Sequence, residues 1–223
     1  MDFISTLSQL YNTNRNHEYA YQMHHYMKCR FEFFGIKAKE RRLLLSTAIG
    51  RNIDEVSNNY KQIAQELYLL KEREFHMCAM EIFEKYSRKK YIKEDIKIIQ
   101  YLIETNSWWD TVDYIAKHIL GKYFLQFPEE KEIVVSNFLN SKNMWLIRST
   151  ILFQLGYKTN TNEELLFRLC KINSTSNEFF IRKAIGWSLR EYGKTNPQSV
   201  LNFVNSTELK PLSKKEAIRN IMK

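Results

Sequence analysis

The segment Asn106-Ser107-Trp108-Trp109-Asp110-Thr111-Val112-Asp113 puts two indoles and two carboxylates into one short helical stretch of a strongly basic chain. Positions i and i+4 of a helix share a face, so Trp109 and Asp113 point the same way, an aromatic plate beside an acid. Such a pair can hold a positively charged sugar or base. With 34 Lys+Arg against 25 Asp+Glu, the natural target of the chain is a polyanion. An acid on the working face of a basic protein points to chemistry on damaged nucleic acid rather than simple binding, because a pure binder loses affinity by turning a negative charge toward phosphates.

A helical scaffold must position these residues. Six glycines and three prolines in 223 residues leave few breakers. Apolar residues recur at helical spacing in Ile63, Leu67 and Leu70, in Ile96, Ile99 and Ile103, and in Leu165, Leu169 and Ile172. No stretch alternates convincingly at period two. Pro128-Glu129-Glu130, Thr161-Asn162-Glu163-Glu164 and Asn196-Pro197 read as helix N-termini, with caps or negative charge at the positive end of the dipole. The expectation is an all-α chain of roughly a dozen helices, about 8–16 residues each.

An internal repeat organises them. Asn143-Met144-Trp145-Leu146-Ile147-Arg148 running to Leu155 aligns with Asn177-Glu178-Phe179-Phe180-Ile181-Arg182 running to Leu189, at an offset of 34 residues. Asn106-Ser107-Trp108-Trp109 fits the same register 37 residues earlier, and Arg73-Glu74-Phe75-His76 is a weaker echo. Spacings in the thirties suit two-helix solenoid repeats, which predicts an α-α superhelix with a concave basic face over one domain, residues 1–223.

Composition narrows the class. The formal charge is +9 and the isoelectric point about 9.3. This draws nucleic acid, anionic membrane or acidic protein without choosing among them. Cys29, Cys78 and Cys170 are odd in number and widely spaced, and read as reduced core residues. His24-His25 invites a metal reading, but neighbouring histidines point about 100° apart on a helix and no third ligand is near in sequence. No CxxC or HExxH occurs, the amino terminus lacks a basic and apolar leader pattern, and no apolar run reaches membrane-spanning length. The reading is a cytoplasmic monomer with no metal, cofactor or membrane partner.

Five blocks, in order, carry a resemblance: Tyr26-Met27-Lys28-Cys29-Arg30-Phe31-Glu32-Phe33-Phe34-Gly35-Ile36 with Lys39-Glu40-Arg41-Arg42; Ser107 to Asp113; Asn143 to Leu155; Glu178 to Tyr192 with Lys194-Thr195-Asn196-Pro197; and Leu209-Lys210-Pro211-Leu212-Ser213. Together they resemble the AlkD-type bacterial DNA glycosylases, built from HEAT-like repeats. The resemblance implies excision of positively charged N7- and N3-alkylated purines from double-stranded DNA, without extruding the lesion into a tight pocket. It implies a catalytic Asp113, cleft tryptophans Trp109 and Trp187, a phosphate-gripping Arg148, and cleft positions at Tyr26 and Arg190.

The residue chemistry is compatible. A cationic alkylpurine is already a good leaving group, so the demand is to stabilise an oxocarbenium-like sugar and admit water, which a fixed carboxylate does. Aromatic faces add about 0.5–2 kcal/mol each toward a cation. Arg148, three residues after Trp145, is expected to face outward while the indole packs. Trp187 and Arg190 share a face at i, i+3, and Lys183 at i−4 from Trp187 extends the basic track. The plainer readings are that Trp108 and Trp145 are core, Asp110 caps or pairs locally, Arg182 is scaffold, and Phe33-Phe34-Gly35-Ile36 packs beneath the first turn. No lysine lies at the matched positions, so hydrolysis without lyase chemistry is expected. The alternatives are a non-catalytic module that grips damaged DNA or structured RNA, and an interaction solenoid with an acidic partner.

Overall fold

The computed structural model describes residues 1–221, which form two compact units, Met1–Lys90 and Tyr91 onward. Both are helical. Among the described residues no strand forms, and the one bridge of β type joins Glu32 to Glu72. No helix among them is long and apolar enough to cross a membrane.

The amino-terminal unit holds α1 (Phe3–Thr13), α2 (His17–Tyr26), α3 (Ala38–Arg51), α4 (Ile53–Tyr68) and α5 (Arg73–Ser87). Asp2 caps α1 by accepting from the Ser5 N–H, and Asn16 caps α2 by accepting from the Tyr19 N–H, each satisfying an orphan donor of the first turn. Between α2 and α3 the chain runs through Phe33, Phe34 and Ile36, all buried. Glu74 of α5 fixes this stretch: its carboxylate accepts from the backbone N–H groups of Phe34, Gly35 and Ile36 at 3.2, 2.9 and 3.2 Å. Gly35 has φ +84°, and a Cβ there would lie 2.1 Å from the Asn16 carbonyl oxygen, so only glycine fits. Phe34 packs edge-on against Tyr11 and Phe75, the packing role expected of this motif. Cys78 is buried as anticipated, but Cys29 is not core: it is exposed, in the left-handed turn that ends α2, 3.5 Å from the His25 Nδ1.

The second unit holds α6 (Asp95–Glu104), a run made of α7 (Trp109–Tyr114), a π-helical turn (Ile115–Leu120) and α8 (Gly121–Gln126), then α9 (Lys131–Asn140), α10 (Met144–Leu152), α11 (Glu163–Ile172), α12 (Phe179–Tyr192), α13 (Pro197–Ser206) and α14 (Pro211–Ile218). The boundaries follow the sequence signals. Pro128–Glu130 form a 3₁₀ turn leading into α9, Asn162 caps α11, and Asn196 caps α13 with Pro197 at its first position. α10, α12 and α14 pack in succession, with α11 and α13 alternating between them. This is the stacked two-helix repeat read from the sequence, and the fold is an all-α helical solenoid type. Ile151 and Leu155 of one repeat, and Ile185 and Leu189 one repeat later, all enter the same core with Leu166, Cys170, Val200 and Val204. One stripe is shorter than expected: Leu165 and Leu169 are buried, but Ile172 ends α11 exposed, past the last turn that touches the core.

Candidate active site

Asp113 stands near the end of α7. The helix starts after Trp108, whose extended backbone marks the boundary, and Asp110 lies in its first turn, where a carboxylate complements the helix dipole. Trp109 is one turn before Asp113 on the same face and is half-buried. Immediately after Asp113 and Tyr114, the helix widens into the π turn. Such turns are rare and concentrate at functional sites. No residue pattern announces this one.

The partner of Asp113 comes from the next repeat, 35 residues on. Arg148 Nε donates to Oδ1 at 2.7 Å and Nη2 donates to Oδ2 at 2.8 Å, a bidentate fork. Its third nitrogen, Nη1, donates to the backbone carbonyl of Phe180 on α12. The expectation that Arg148 faces outward is therefore corrected. The guanidinium is 4% exposed and turned inward, because α10 presents it to a mostly buried carboxylate and to the Phe180 carbonyl at once. Trp145 packs as expected, half-buried with Trp108 and Phe180 in a three-ring cluster of centroid separations 5.0–5.7 Å. The Arg148 guanidinium carbon lies 5.8 Å from the Phe180 ring centroid, so the cluster also braces the arginine. Phe180 is a residue that sequence reasoning missed. Its one signal was its place two positions before Arg182 in the repeat.

Asp113 keeps 14% of its side chain open. Burial pushes its carboxyl above the ordinary carboxylate range, the two hydrogen bonds and the charge of Arg148 pull it back, and Asp110 adds a push upward. Arg148 thus orients the carboxylate and favours its ionised form.

The other expected site residues lie on two helices, α12 and α2. Lys183 and Arg190 of α12 converge on one carboxylate, Glu216 of α14. Trp187 lies between them on α12, half-buried against the core of the carboxy-terminal repeats. Tyr26 belongs to the amino-terminal unit, where it ends α2 and is 69% exposed. Glu216 was also missed. The signal available was a lone acid among Lys214, Lys215 and Arg219. Arg182, read as scaffold, accepts a bond from the Ser213 hydroxyl at its backbone carbonyl, which ties α12 to α14.

Residues 7–221 match the family model described as DNA alkylation repair enzyme. The chain belongs to this family. The DNA alkylation repair match spans both units, nearly the whole chain. A solved structure from Enterococcus faecalis, described as a predicted DNA alkylation repair enzyme, is similar at 31% identity and a TM-score of 0.84, covering 94% of this chain and 97% of that one. Comparison with curated proteins gives no match. Family membership places the protein among repair enzymes with DNA as the expected substrate class.

Proposed function

We propose that this DNA alkylation repair family member is a monofunctional glycosylase that hydrolyses the N-glycosidic bond of N7- and N3-alkylated purines in double-stranded DNA. The observation that carries this reading is the carboxylate of Asp113: mostly buried, gripped on one side by the Arg148 fork, and set one turn after Trp109. A carboxylate held this firmly does not need to reorganise as positive charge develops beside it, which is what makes electrostatic stabilisation effective. As the C1′–N bond breaks, its electron pair leaves with the base and neutralises the alkylpurine cation. The sugar becomes oxocarbenium-like, Asp113 stabilises it, and water adds at C1′ and loses its proton to the carboxylate or to solvent. Trp109 and Trp187 supply aromatic faces to the developing cation. Asp113, Trp109 and Trp187 include no amine, so the abasic product is released without strand cleavage. A base that must depart as an anion gains little here, which supports selectivity for cationic lesions without a base-reading pocket.

The test is release of N7-methylguanine or N3-methyladenine from methylated duplex DNA, followed by chromatography of the freed base. Asp113→Asn lowers the rate by about 10²–10³ while duplex binding survives. Urea unfolding of the same variant monitors the fold, since asparagine accepts only one of the two Arg148 bonds. Wild-type release by the asparagine variant removes Asp113 from catalysis and favours a DNA-gripping module.

A further inference from the structure

Lys183, Trp187 and Arg190 follow at i, i+4 and i+7 along α12 and share a face. Helix α14 lies close against this helix. A Cβ added to Gly186 would come within 2.4 Å of the Glu216 Cβ and 3.0 Å of the Ser213 carbonyl oxygen. That approach brings the stem of Glu216 onto the α12 backbone between the two cations. The carboxylate then gives one oxygen to each: Lys183 Nζ donates to Oε1 at 2.9 Å, and Arg190 Nη1 donates to Oε2. Arg219, one turn along α14, stands 3.7 Å from Oε2.

The charges do not balance. Three cations face one carboxylate, a surplus of two positive charges. The carboxylate is fully engaged, with Lys183 and then Arg190 holding its pKa below the usual value. Arg190 commits Nη1 alone to Glu216, leaving the rest of its planar fork for another acceptor, and Lys183 is 38% exposed. An ion pair whose task was only to join two helices would need one cation. A carboxylate that aligns several cations and leaves them in excess is suited to presenting them to an outside anion.

We infer that Glu216 is the positioning residue of a phosphate site formed by Lys183, Arg190 and Arg219 beside Trp187, occupied by one phosphodiester of the DNA strand. This rests on the glycosylase reading. Glu216 holds Arg190 in one orientation, so that the strand is seated with its sugar at the Trp187 face. It acts through the arginine and does not touch the reacting atoms.

Two measurements decide it. The first is the salt dependence of binding to undamaged duplex. Arg190→Ala makes the log–log slope shallower by about one, and Glu216→Gln, which frees a cation for phosphate, makes it steeper by about one. Unchanged slopes in both Arg190→Ala and Glu216→Gln overturn the phosphate site. The second is single-turnover excision. Glu216→Gln and Arg190→Ala each slow release by about ten- to a hundredfold, and the double variant is no slower than Arg190→Ala alone. Effects that multiply, or a Glu216→Gln rate equal to wild type, overturn the positioning role. If the wild-type protein frees no base, the glycosylase reading fails by itself, and the binding slopes still decide whether this cluster holds a phosphate.

Discussion

Arg148→Lys separates positioning of Asp113 from attraction of DNA. Lysine keeps the positive charge but replaces three directed donors by one nitrogen. The native arginine makes two bonds to Asp113, at 2.7 and 2.8 Å, and a third to the Phe180 carbonyl. A single lysine nitrogen cannot reproduce all three. Hydrogen bonds to a charged group contribute roughly 1.5–3 kcal/mol each, and Asp113 keeps 14% exposure through which water partly compensates, so the expected loss of stability is about 2–4 kcal/mol. The catalytic consequence is geometric. A carboxylate free to swing by about 1 Å costs on the order of 10²-fold in rate. Duplex binding keeps its salt slope, because the charge is unchanged and the native guanidinium is buried at 4% exposure with its nitrogens committed inside the protein. The assays are urea unfolding, the salt dependence of binding to undamaged duplex, and single-turnover release of N7-methylguanine. A lysine variant that excises at the wild-type rate refutes the positioning of Asp113 by Arg148. An Arg148→Ala variant whose slope falls by about one, at wild-type stability, shows instead that the arginine leaves Asp113 to grip phosphate.

The pH profile gives a related outcome. Burial raises the Asp113 carboxyl above its ordinary range, so excision declines on acidification at a pH higher than an exposed aspartate would set, and Arg148→Met, which removes the opposing bonds and charge, moves that acid limb to still higher pH. A limb that stays in place under Arg148→Met dissociates the titration from this pair. Gly186→Ala drives a Cβ to within 2.4 Å of the Glu216 Cβ. The overpacking cost of about 1–3 kcal/mol exceeds the gain of up to about 1 kcal/mol from alanine in a helix, so the urea midpoint falls; a rise refutes the close approach of α14. Trp109→Ala and Trp187→Ala slow release of cationic alkylpurines by less than Asp113→Asn does, with negligible uracil release from wild type onward. Comparable wild-type release of uracil and N7-methylguanine contradicts the cation-stabilising design.

Local chemistry determined a good deal of this protein. Scarce glycine and proline, period-3.6 stripes and the 34-residue repeat specified stacked helix pairs, and Asn162, Asn196 and Pro197 marked helix starts that the structure has. Helical spacing also placed Trp109 with Asp113, and Lys183 with Trp187 and Arg190, each on one face. Periodicity says which residues share a face, but not which helix lies opposite or what charge it carries. The direction of Arg148 was decided by Asp113 and the Phe180 carbonyl, 35 and 32 residues away in the chain. In the same way Glu216 meets Lys183 and Arg190 only because Gly186 lets α14 come close. Cys29 and Ile172, apolar-looking in their segments, are exposed where their helices end, Cys29 in the left-handed turn after α2 and Ile172 at the last position of α11. The sequence alone determined the helices and their repeat. Only the tertiary structure decided which charges are spent on one another and which remain for a ligand, because a buried charge takes the partner that packing brings to it.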